Sequence, residues 1–121
     1  MAEYITFQPS DYFNTKLYNG TAGTQTISGV GFQPDSTWLK ARSESADWGW
    51  FDASRGATKD LRQNNTNAES TLSDSLTSWN SDGFVMGSGA DFNANSQTYA
   101  SYNWKANGAV SYTHLTLPTK A

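Results

Sequence analysis

The chain has 121 residues, 14% of them aromatic, with no cysteine and a formal net charge of −3 at pH 7. This length fits one domain of common size, and the absence of cysteine excludes a disulfide framework and thiolate metal sites. Scattered lysines and arginines disfavour nucleic acid as a partner, and no segment approaches the roughly 20 consecutive apolar residues of a membrane span.

Short segments of alternating side chains in the first third of the chain predict β-strands. Residues 12–18 alternate and stop at Asn19-Gly20, a pair that tolerates the positive φ of a turn. Residues 24–28 predict a second strand, and the two strands are expected to form a hairpin or an adjacent pair. Pro34 then fixes its own φ and favours an extended residue before it, which excludes a helix there.

The strand predicted at residues 36–43 has two different faces. One face is small and apolar and the opposite face is amphipathic: the first carries Thr37, Leu39 and Ala41, and the second carries Trp38, Lys40 and Arg42. Residues 48–52 predict the next strand, with Trp48 and Trp50 on one face.

Two polar segments in the second half of the chain lack periodicity and predict surface loops. They are residues 63–75 and residues 88–97, both rich in polar side chains, and long loops in compact domains are often functional. A short strand is predicted before the first loop, at residues 59–62. A last strand is predicted after the second loop, at residues 98–105. One face of this strand carries Ala100, Tyr102 and Trp104.

A β-hairpin is predicted at residues 76–87. Two short aromatic-bearing runs flank Asp82-Gly83, in which Asp can bond backbone amides and Gly accepts a positive φ. No window keeps apolar residues at helical spacing without Gly or Pro intruding. About seven short strands at this spacing therefore predict an all-β fold, an antiparallel β-sandwich or jelly roll.

Residues 110–119 need a separate interpretation, because they resemble the translation of a transposase-type sequencing-library adapter. We interpret residues 110–121 as a non-native tail and residues 1–109 as a single domain, the N-terminal part of a longer protein. The other interpretation is a natural strand with a proline near its end. Without the tail the net charge moves from −3 to −4, since Lys120 is lost, and the only histidine, His114, is removed.

Without His114, a Ser-His-Asp or Cys-His mechanism lacks its general base. Two carboxylates facing each other across a groove could cleave glycosides. However, Glu44, Asp47 and Asp52 do not alternate on one strand face. The simpler interpretation is that they are solvent-exposed acidic residues in loops. Asp52 is also placed to accept a charge-assisted hydrogen bond from Arg55 across a turn. The sequence therefore predicts no enzyme, no catalytic residue and no cofactor.

Asp91, Asn93 and Asn95 match the first half of a calcium-binding loop, in which alternate side-chain oxygens converge on the cation. The match then fails, since Ser96 replaces the glycine of the sharp turn and Tyr102 replaces the closing glutamate. No metal is therefore predicted. Asp91, Asn93 and Asn95 are retained as candidate ligand-binding residues, and the alternative is an Asn-rich turn whose side chains bond the local backbone.

Trp38, Lys40 and Arg42 are the other candidate ligand-binding residues. They project from one face of a predicted strand and could present an aromatic platform and two hydrogen-bond donors to a sugar or a partner surface. The alternative is local packing, because an arginine stacked on a tryptophan is common on strand faces and contributes about 0.5–1 kcal/mol when exposed. The sequence leaves both interpretations open.

Several short motifs occur in an order and spacing that resemble an uncharacterised domain family of tailed bacteriophages. They are residues 7–15, Gly31-Phe32-Gln33-Pro34-Asp35, Trp38-Leu39-Lys40, Phe51-Asp52 with Arg55-Gly56-Ala57-Thr58-Lys59, Ser81-Asp82-Gly83-Phe84 and residues 99–105. The resemblance covers nearly all of residues 4–106 and implies a β-sandwich of the concanavalin-like or jelly-roll kind in a longer, tail-associated phage structural protein. It supplies no catalytic residue, and a fold alone does not establish a function.

The function expected on this basis is a non-enzymatic virion structural or adhesion module of the phage tail, assembled in the host cytoplasm. It would display residues 63–75 and 88–97 toward a host-surface glycan or a neighbouring tail protein, with weak contacts multiplied by copy number. The alternatives are a carboxylate-based glycan depolymerase and a spacer or assembly domain without a ligand. Other virion proteins are the expected partners, and a homo-oligomer is left open.

Overall fold

The computed structural model describes residues 8–106, which fold into nine short strands and two single helical turns. The strands are β1 (Phe13–Asn19), β2 (Gln25–Ile27), β3 (Ser36–Ala41), β4 (Gly49–Asp52), β5 (Gly56–Arg62), β6 (Ser70–Thr71), β7 (Leu76–Asn80), β8 (Gly83–Met86) and β9 (Thr98–Trp104). The helical turns are a 3-10 turn at Pro9–Asp11 and α1 at Ala90–Asn93. No helix within residues 8–106 has the length and apolar character that a membrane crossing needs.

Two antiparallel sheets contain these strands. The larger sheet has six strands in the order β1-β9-β3-β4-β5-β6, and the smaller has three in the order β2-β8-β7. Successive residues of each strand point to opposite sides of its sheet, and the inner faces of both sheets contribute to one hydrophobic core. This arrangement confirms the predicted all-β fold, an antiparallel β-sandwich.

Strand pairing corrects the hairpin predicted for the first two strands. β1 and β2 neither pair nor share a sheet, since β1 pairs with β9 and β2 pairs with β8. The pairing of β1 joins residues far apart in the sequence, such as Phe13 with Trp104. The prediction failed because period-two patterning specifies the faces of a strand and not its neighbours.

The hairpin predicted at residues 76–87 is confirmed by the pairing of β7 with β8. Close packing requires Gly83, because a Cβ at this position would overlap a backbone carbonyl oxygen of β2. The carboxylate of Asp82 reaches beyond its own turn and accepts the backbone N–H groups of Gly29 (2.9 Å) and Gly31 (2.7 Å). The turn therefore fastens the segment that follows β2.

The core lies between the two sheets and is largely aromatic. Its largest fully buried apolar side chains come from both sheets and from α1: Tyr99, Phe51, Phe84, Phe92, Leu39, Leu76 and Met86. Tyr18 stacks on Tyr99 with ring centroids 5.2 Å apart, and Phe51 meets Phe92 edge-on at 6.0 Å. Aromatic rings bury a large apolar area for each residue, which compensates for the polar composition of the chain.

A buried polar network occupies one end of the inner face of the larger sheet. Thr37 Oγ1 donates to Asn103 Oδ1 (3.0 Å), and Trp79 Nε1 donates to Thr37 Oγ1 (3.1 Å). Asn103 Nδ2 donates to Ser101 Oγ (3.0 Å) and to the carbonyl of Asn14 (3.2 Å). Because an unsatisfied buried polar group costs about 1–3 kcal/mol, the network favours one relative placement of β1, β3, β7 and β9.

The segment predicted as a polar loop at residues 88–97 contributes to the core instead. It contains α1, whose Phe92 side chain is fully buried. Tyr18 Oη donates to the carbonyl of Phe92 (2.8 Å), and the N–H of Ala94 donates to Tyr99 Oη (2.9 Å). The sequence did not reveal α1 because a single helical turn is too short to show helical periodicity.

The segment predicted as a long loop at residues 63–75 is mostly exposed, but it includes β6. The N–H of Leu72 donates to the carbonyl of Thr58 (2.9 Å) and extends the pairing of β6 with β5. β5 is also longer than the strand predicted at residues 59–62. β6 has only two residues, so alternation could not be recognised in its sequence.

Leu39→Ala is expected to destabilise the fold by about 2–5 kcal/mol, since the side chain is fully buried and its removal leaves a cavity. Leu17→Ala is the matched control, because Leu17 is 52% exposed on the opposite side of the same sheet. At protein concentrations low enough for the chain to be monomeric, that change should alter stability by less than about 0.5 kcal/mol. Urea unfolding measures both, and equal losses would contradict the assignment of the two faces.

Asp82→Asn is expected to lower stability at pH 7 and to weaken the acid sensitivity of the fold. The amides of Gly29 and Gly31 hold the pKa of Asp82 below its usual value, so this carboxylate stabilises the folded state above about pH 4. That contribution is lost as the pH falls through the lowered pKa. The difference in urea midpoint between the variant and the parent chain should therefore shrink from about pH 5 to pH 2.

Glu44→Gln is the control for this pH series, because Glu44 is exposed. It should leave the urea midpoint at pH 7 nearly unchanged, since surface substitutions usually alter stability by less than about 0.5 kcal/mol. A destabilisation by Asp82→Asn that stays constant across the pH series would contradict the role assigned to this carboxylate.

Candidate functional site

The outer face of the larger sheet, which is turned away from the core, carries a row of aromatic side chains. On β3 the buried residues alternate with Trp38 and Lys40, which point outward as predicted. The register places Trp50 of β4 and Tyr102 of β9 directly beside Trp38. We use the term aromatic face for the following residues of this surface: Phe13, Trp38, Trp48, Trp50, Tyr102 and Trp104.

Ring contacts connect neighbouring members of the aromatic face. Trp38 packs against Tyr102 and Trp48, with ring centroids 5.3 and 5.7 Å apart. Phe13 packs against Trp104 at 5.2 Å. Tilted aromatic pairs of this kind add about 0.5–1.5 kcal/mol beyond the burial of area, so the rings hold one another in place.

Two members of the aromatic face are strongly exposed. Phe13 is 40% and Trp50 39% exposed, and the indole Nε1 of Trp50 donates to Ser36 Oγ. This hydrogen bond orients the ring while leaving much of it accessible. Contiguous exposed apolar surface in a protein often marks a contact site, so the aromatic face is a candidate for ligand binding.

A pocket of about 400 Å³ adjoins the aromatic face near Trp50. Its lining residues come from the ends of β3 and β4 and from the chain after β9: Asp35, Ser36, Asp52, Ala53, Ser54 and Ala106. Trp50 does not line the pocket, but its indole Nε1 donates a hydrogen bond to Ser36, which does. The volume falls within the range of ~300–1,000 Å³ typical of small-molecule sites.

Both carboxylates of the pocket are held by hydrogen bonds. Asp52 accepts the backbone N–H and the Nε–H of Arg55, each at 2.8 Å, which confirms the predicted turn. Asp35 Oδ2 accepts the backbone N–H of Ala106 at 2.8 Å. The pocket therefore offers oxygen acceptors and negative charge beside apolar rings, an environment that can receive hydroxyl or amine donors.

Of the predicted residues Trp38, Lys40 and Arg42, only Trp38 belongs to the aromatic face. Lys40 also lies on the outer side of β3, but its Nζ donates to a backbone carbonyl of its own strand at 2.7 Å. Arg42 follows β3 and is exposed. The sequence predicted one aromatic ring flanked by two hydrogen-bond donors. The structure shows several rings beside a pocket lined by hydrogen-bond acceptors.

Asp91, Asn93 and Asn95 face different surroundings. Asn93 is fully buried, and its amide bonds three backbone groups and the side chain of Gln25 at distances of 2.6–3.0 Å. This burial corrects the prediction for Asn93, which anchors a turn and is closed to a ligand. Asn95 is exposed, whereas Asp91 pairs with Arg62 at 3.3 Å. Within residues 8–106 no group of three or more Asp, Glu, His or Cys side chains could hold a metal ion.

Arg62 is the centre of a partly buried ion-pair cluster. Its Nε bonds the fully buried Asp60, and its terminal nitrogens lie 3.3 Å from Asp91 and 3.6 Å from Asp47. Its guanidinium also lies over the Phe92 ring, 5.5 Å from the centroid. Burial raises the pKa of Asp60, and the hydrogen bond and charge of Arg62 oppose that shift. The cluster fastens α1 to the larger sheet, which is a structural role.

The sequence contained part of the signal for the aromatic face. Trp48 and Trp50 alternate in one predicted strand, and Tyr102 and Trp104 alternate in another. What it did not reveal is that these two strands flank β3 on either side. Strand order depends on contacts between distant segments, so the individual rings could be predicted to share a face only within their own strand.

Arg62→Met is expected to destabilise the fold by roughly 3 kcal/mol, because it leaves Asp60 buried without its cationic partner. The loss should shrink at low pH, since burial raises the pKa of Asp60 and the charged form costs stability only as the pH rises. Arg42→Met, at an exposed arginine, is the matched control. Urea unfolding compares the two variants, and equal effects would contradict the role of the cluster.

Comparison with curated proteins and with solved structures finds no match to this chain. Residues 8–120 match a family described as a domain of unknown function. The matched range includes residues 110–119, whose interpretation as an adapter-derived tail stays a prediction, and residues 107–121 lie outside the described part of the chain. Because the match covers nearly the whole sequence, this protein belongs to the family of the domain of unknown function DUF7483.

Proposed function

We propose that this chain is a non-enzymatic saccharide-binding module of a tailed-bacteriophage virion protein. The single observation that carries the proposal is the partly exposed aromatic face, with Trp50 as its exposed ring, near a pocket lined by carboxylates and hydroxyls. The proposed ligand surface is therefore the face of a sheet and not the segments at residues 63–75 and 88–97. In the second of these segments, Phe92 and Asn93 are buried in the fold.

A sugar ring suits this surface for physical reasons. Its C–H bonds make one side of the ring apolar, and that side can stack on an indole, while its hydroxyl groups need hydrogen-bond partners at the rim. Trp50 offers an exposed ring, and Asp35 and Ser36 lie in the adjoining pocket. Small-molecule sites commonly combine aromatic surface with a few placed polar groups, so the arrangement supports binding of a short saccharide.

The charge of the pocket favours neutral saccharides over acidic ones. Asp35 and Asp52 both line it, and carboxylates accept hydrogen bonds from sugar hydroxyls. A further carboxylate, from a sialic or uronic acid, would be repelled at short range. Arg55 offsets the charge of Asp52 with an ion pair at 2.8 Å. Asp35 has no ion pair with lysine or arginine within residues 8–106.

The same contacts support binding over catalysis. Glycoside hydrolysis uses two carboxyl groups, one as an acid and one as a base or nucleophile. Asp52 uses both of its oxygens to accept hydrogen bonds from Arg55 and thereby fixes a turn. A polysaccharide whose chain length falls on incubation with the protein would instead favour the depolymerase alternative.

The virion context of the proposal comes from the resemblance of motifs within residues 7–105 to a domain family of tailed bacteriophages. An adhesion module of a virion acts in many copies, and multivalency raises overall avidity without any new contact. A shallow aromatic surface with few polar groups suits weak binding at each copy. A neighbouring tail protein is the other class of partner, and a spacer domain without ligand is the third alternative.

Trp50→Ala is expected to weaken binding of a neutral oligosaccharide by about tenfold, a loss of roughly 1.4 kcal/mol that is typical of an aromatic contact. Tyr12→Ala is the matched control, since Tyr12 is 37% exposed against 39% for Trp50 but lies outside the aromatic face. An array of neutral and acidic glycans, probed with the full chain, identifies the oligosaccharide. Calorimetric titration then measures the affinity of each variant, and circular dichroism confirms that each is folded.

Binding of neutral glycans that falls with Trp50→Ala and not with Tyr12→Ala supports the proposal. An array on which no glycan binds would overturn saccharide recognition and favour a protein partner or a spacer. Binding of acidic glycans alone would overturn the assigned saccharide class. Binding that survives Trp50→Ala unchanged would exclude the aromatic face as the site.

A further inference from the structure

We infer that two copies of this chain pair through the edge of β1 that no other strand within residues 8–106 occupies, called here the open edge, and form a twofold-symmetric dimer with one continuous sheet. This inference does not depend on the proposed saccharide binding, although the two surfaces share Phe13, a member of the aromatic face. β1 lies at the end of the larger sheet and has β9 as its neighbour in that sheet. It pairs with β9 over all seven of its residues without a shift of register.

Hydrogen bonds at both ends of β1 show which of its backbone groups face the open edge. The N–H of Lys105 donates to the carbonyl of Tyr12, and the N–H of Gly20 donates to the carbonyl of Gln97, each at 2.8 Å. In an antiparallel pair the bonded residues alternate along the strand, so the even-numbered residues of β1 bond β9. The backbone groups of Phe13, Thr15 and Leu17 therefore face outward, whereas the carbonyl of Asn19 accepts a hydrogen bond from Gln25 Nε2 at 2.8 Å.

The side chains of the odd-numbered residues do not protect this edge. Phe13 is 40% and Leu17 52% exposed, and Thr15 between them is exposed as well. Natural sheets protect open edges with charged side chains, proline or bulges, but the one charged residue of β1 is Lys16, which points to the other side, toward Gly29. An unprotected, regular and apolar edge is suited to pairing with another strand.

The sequence of β1 is complementary to itself in antiparallel orientation, which identifies a second copy as the occupant. With the twofold axis at Thr15, Phe13 lies opposite the partner's Leu17, and Leu17 lies opposite the partner's Phe13. Both contacts are apolar, and Asn14 lies opposite the partner's Lys16, so no like charges meet. An isologous twofold contact closes on itself and gives a dimer instead of an open chain.

Thr15→Pro in the full chain is expected to weaken dimerisation by more than about tenfold. Proline removes an N–H that faces the open edge and leaves the bonds between β1 and β9 in place. Sedimentation equilibrium over a range of concentrations measures the mass, which should approach twice the 13.2 kDa of one chain for the parent protein. A parent chain that stays monomeric at every concentration would overturn the inference.

Thr71→Pro is the matched control at the opposite edge of the same sheet. The N–H of Leu72 bonds the carbonyl of Thr58, so by alternation the N–H of Thr71 also faces away from its neighbouring strand. This variant should dimerise like the parent chain. A dimer that is lost with Thr71→Pro, or that survives in a folded Thr15→Pro variant, would overturn the assignment to β1.

Thr15→Cys tests the register in a second way and does not require proline. The chain has no cysteine, and directly opposite residues of a hydrogen-bonded pair have Cα atoms about 5.5 Å apart, a distance that a disulfide can span. Mild oxidation should give a covalent dimer with Thr15→Cys and little with Thr71→Cys. Equal yields from the two variants would contradict the twofold axis at Thr15.

Discussion

The pairing of β9 with β1 on one side and β3 on the other is the interaction on which most of this structure depends. The inward side chains of β9, Tyr99, Ser101 and Asn103, are buried in the core and its polar network. Its outward side chains, Tyr102 and Trp104, belong to the aromatic face. One strand thus links the stability of the sandwich to its candidate ligand surface, because alternate residues serve opposite sides of a sheet.

Polar side chains then position the loops on this framework. Asn93 bonds the turn between β1 and β2, Asp82 bonds the segment after β2, and Arg62 holds α1 against the larger sheet. Hydrophobic burial is non-directional, whereas a hydrogen bond requires a defined geometry. These hydrogen bonds and ion pairs therefore favour one arrangement of the loops among those that the aromatic core would permit.

The proposed binding surface and the proposed dimer use the same side of the larger sheet. Rings held by their neighbours, such as Trp38 between Trp48 and Tyr102, lose little conformational freedom when a ligand binds, which lowers the cost of association. A twofold axis perpendicular to the sheet would place the aromatic faces of two copies side by side on one surface. Two weak saccharide sites in that arrangement would act together on a multivalent glycan.

Local sequence patterns were sufficient to predict which segments form most of the strands and which way their side chains point. Leu39 is buried and Trp38 faces outward as alternation predicts, and the hairpin of β7 and β8 follows its turn residues, because these patterns involve residues close together in the chain. The folded molecule was needed to show that β1 pairs with β9, that Asn93 is buried, and that Trp50 and Tyr102 both adjoin Trp38. These features depend on contacts between segments that are distant in the sequence. The free energy of such contacts is set by the packing of the whole domain and not by any local pattern.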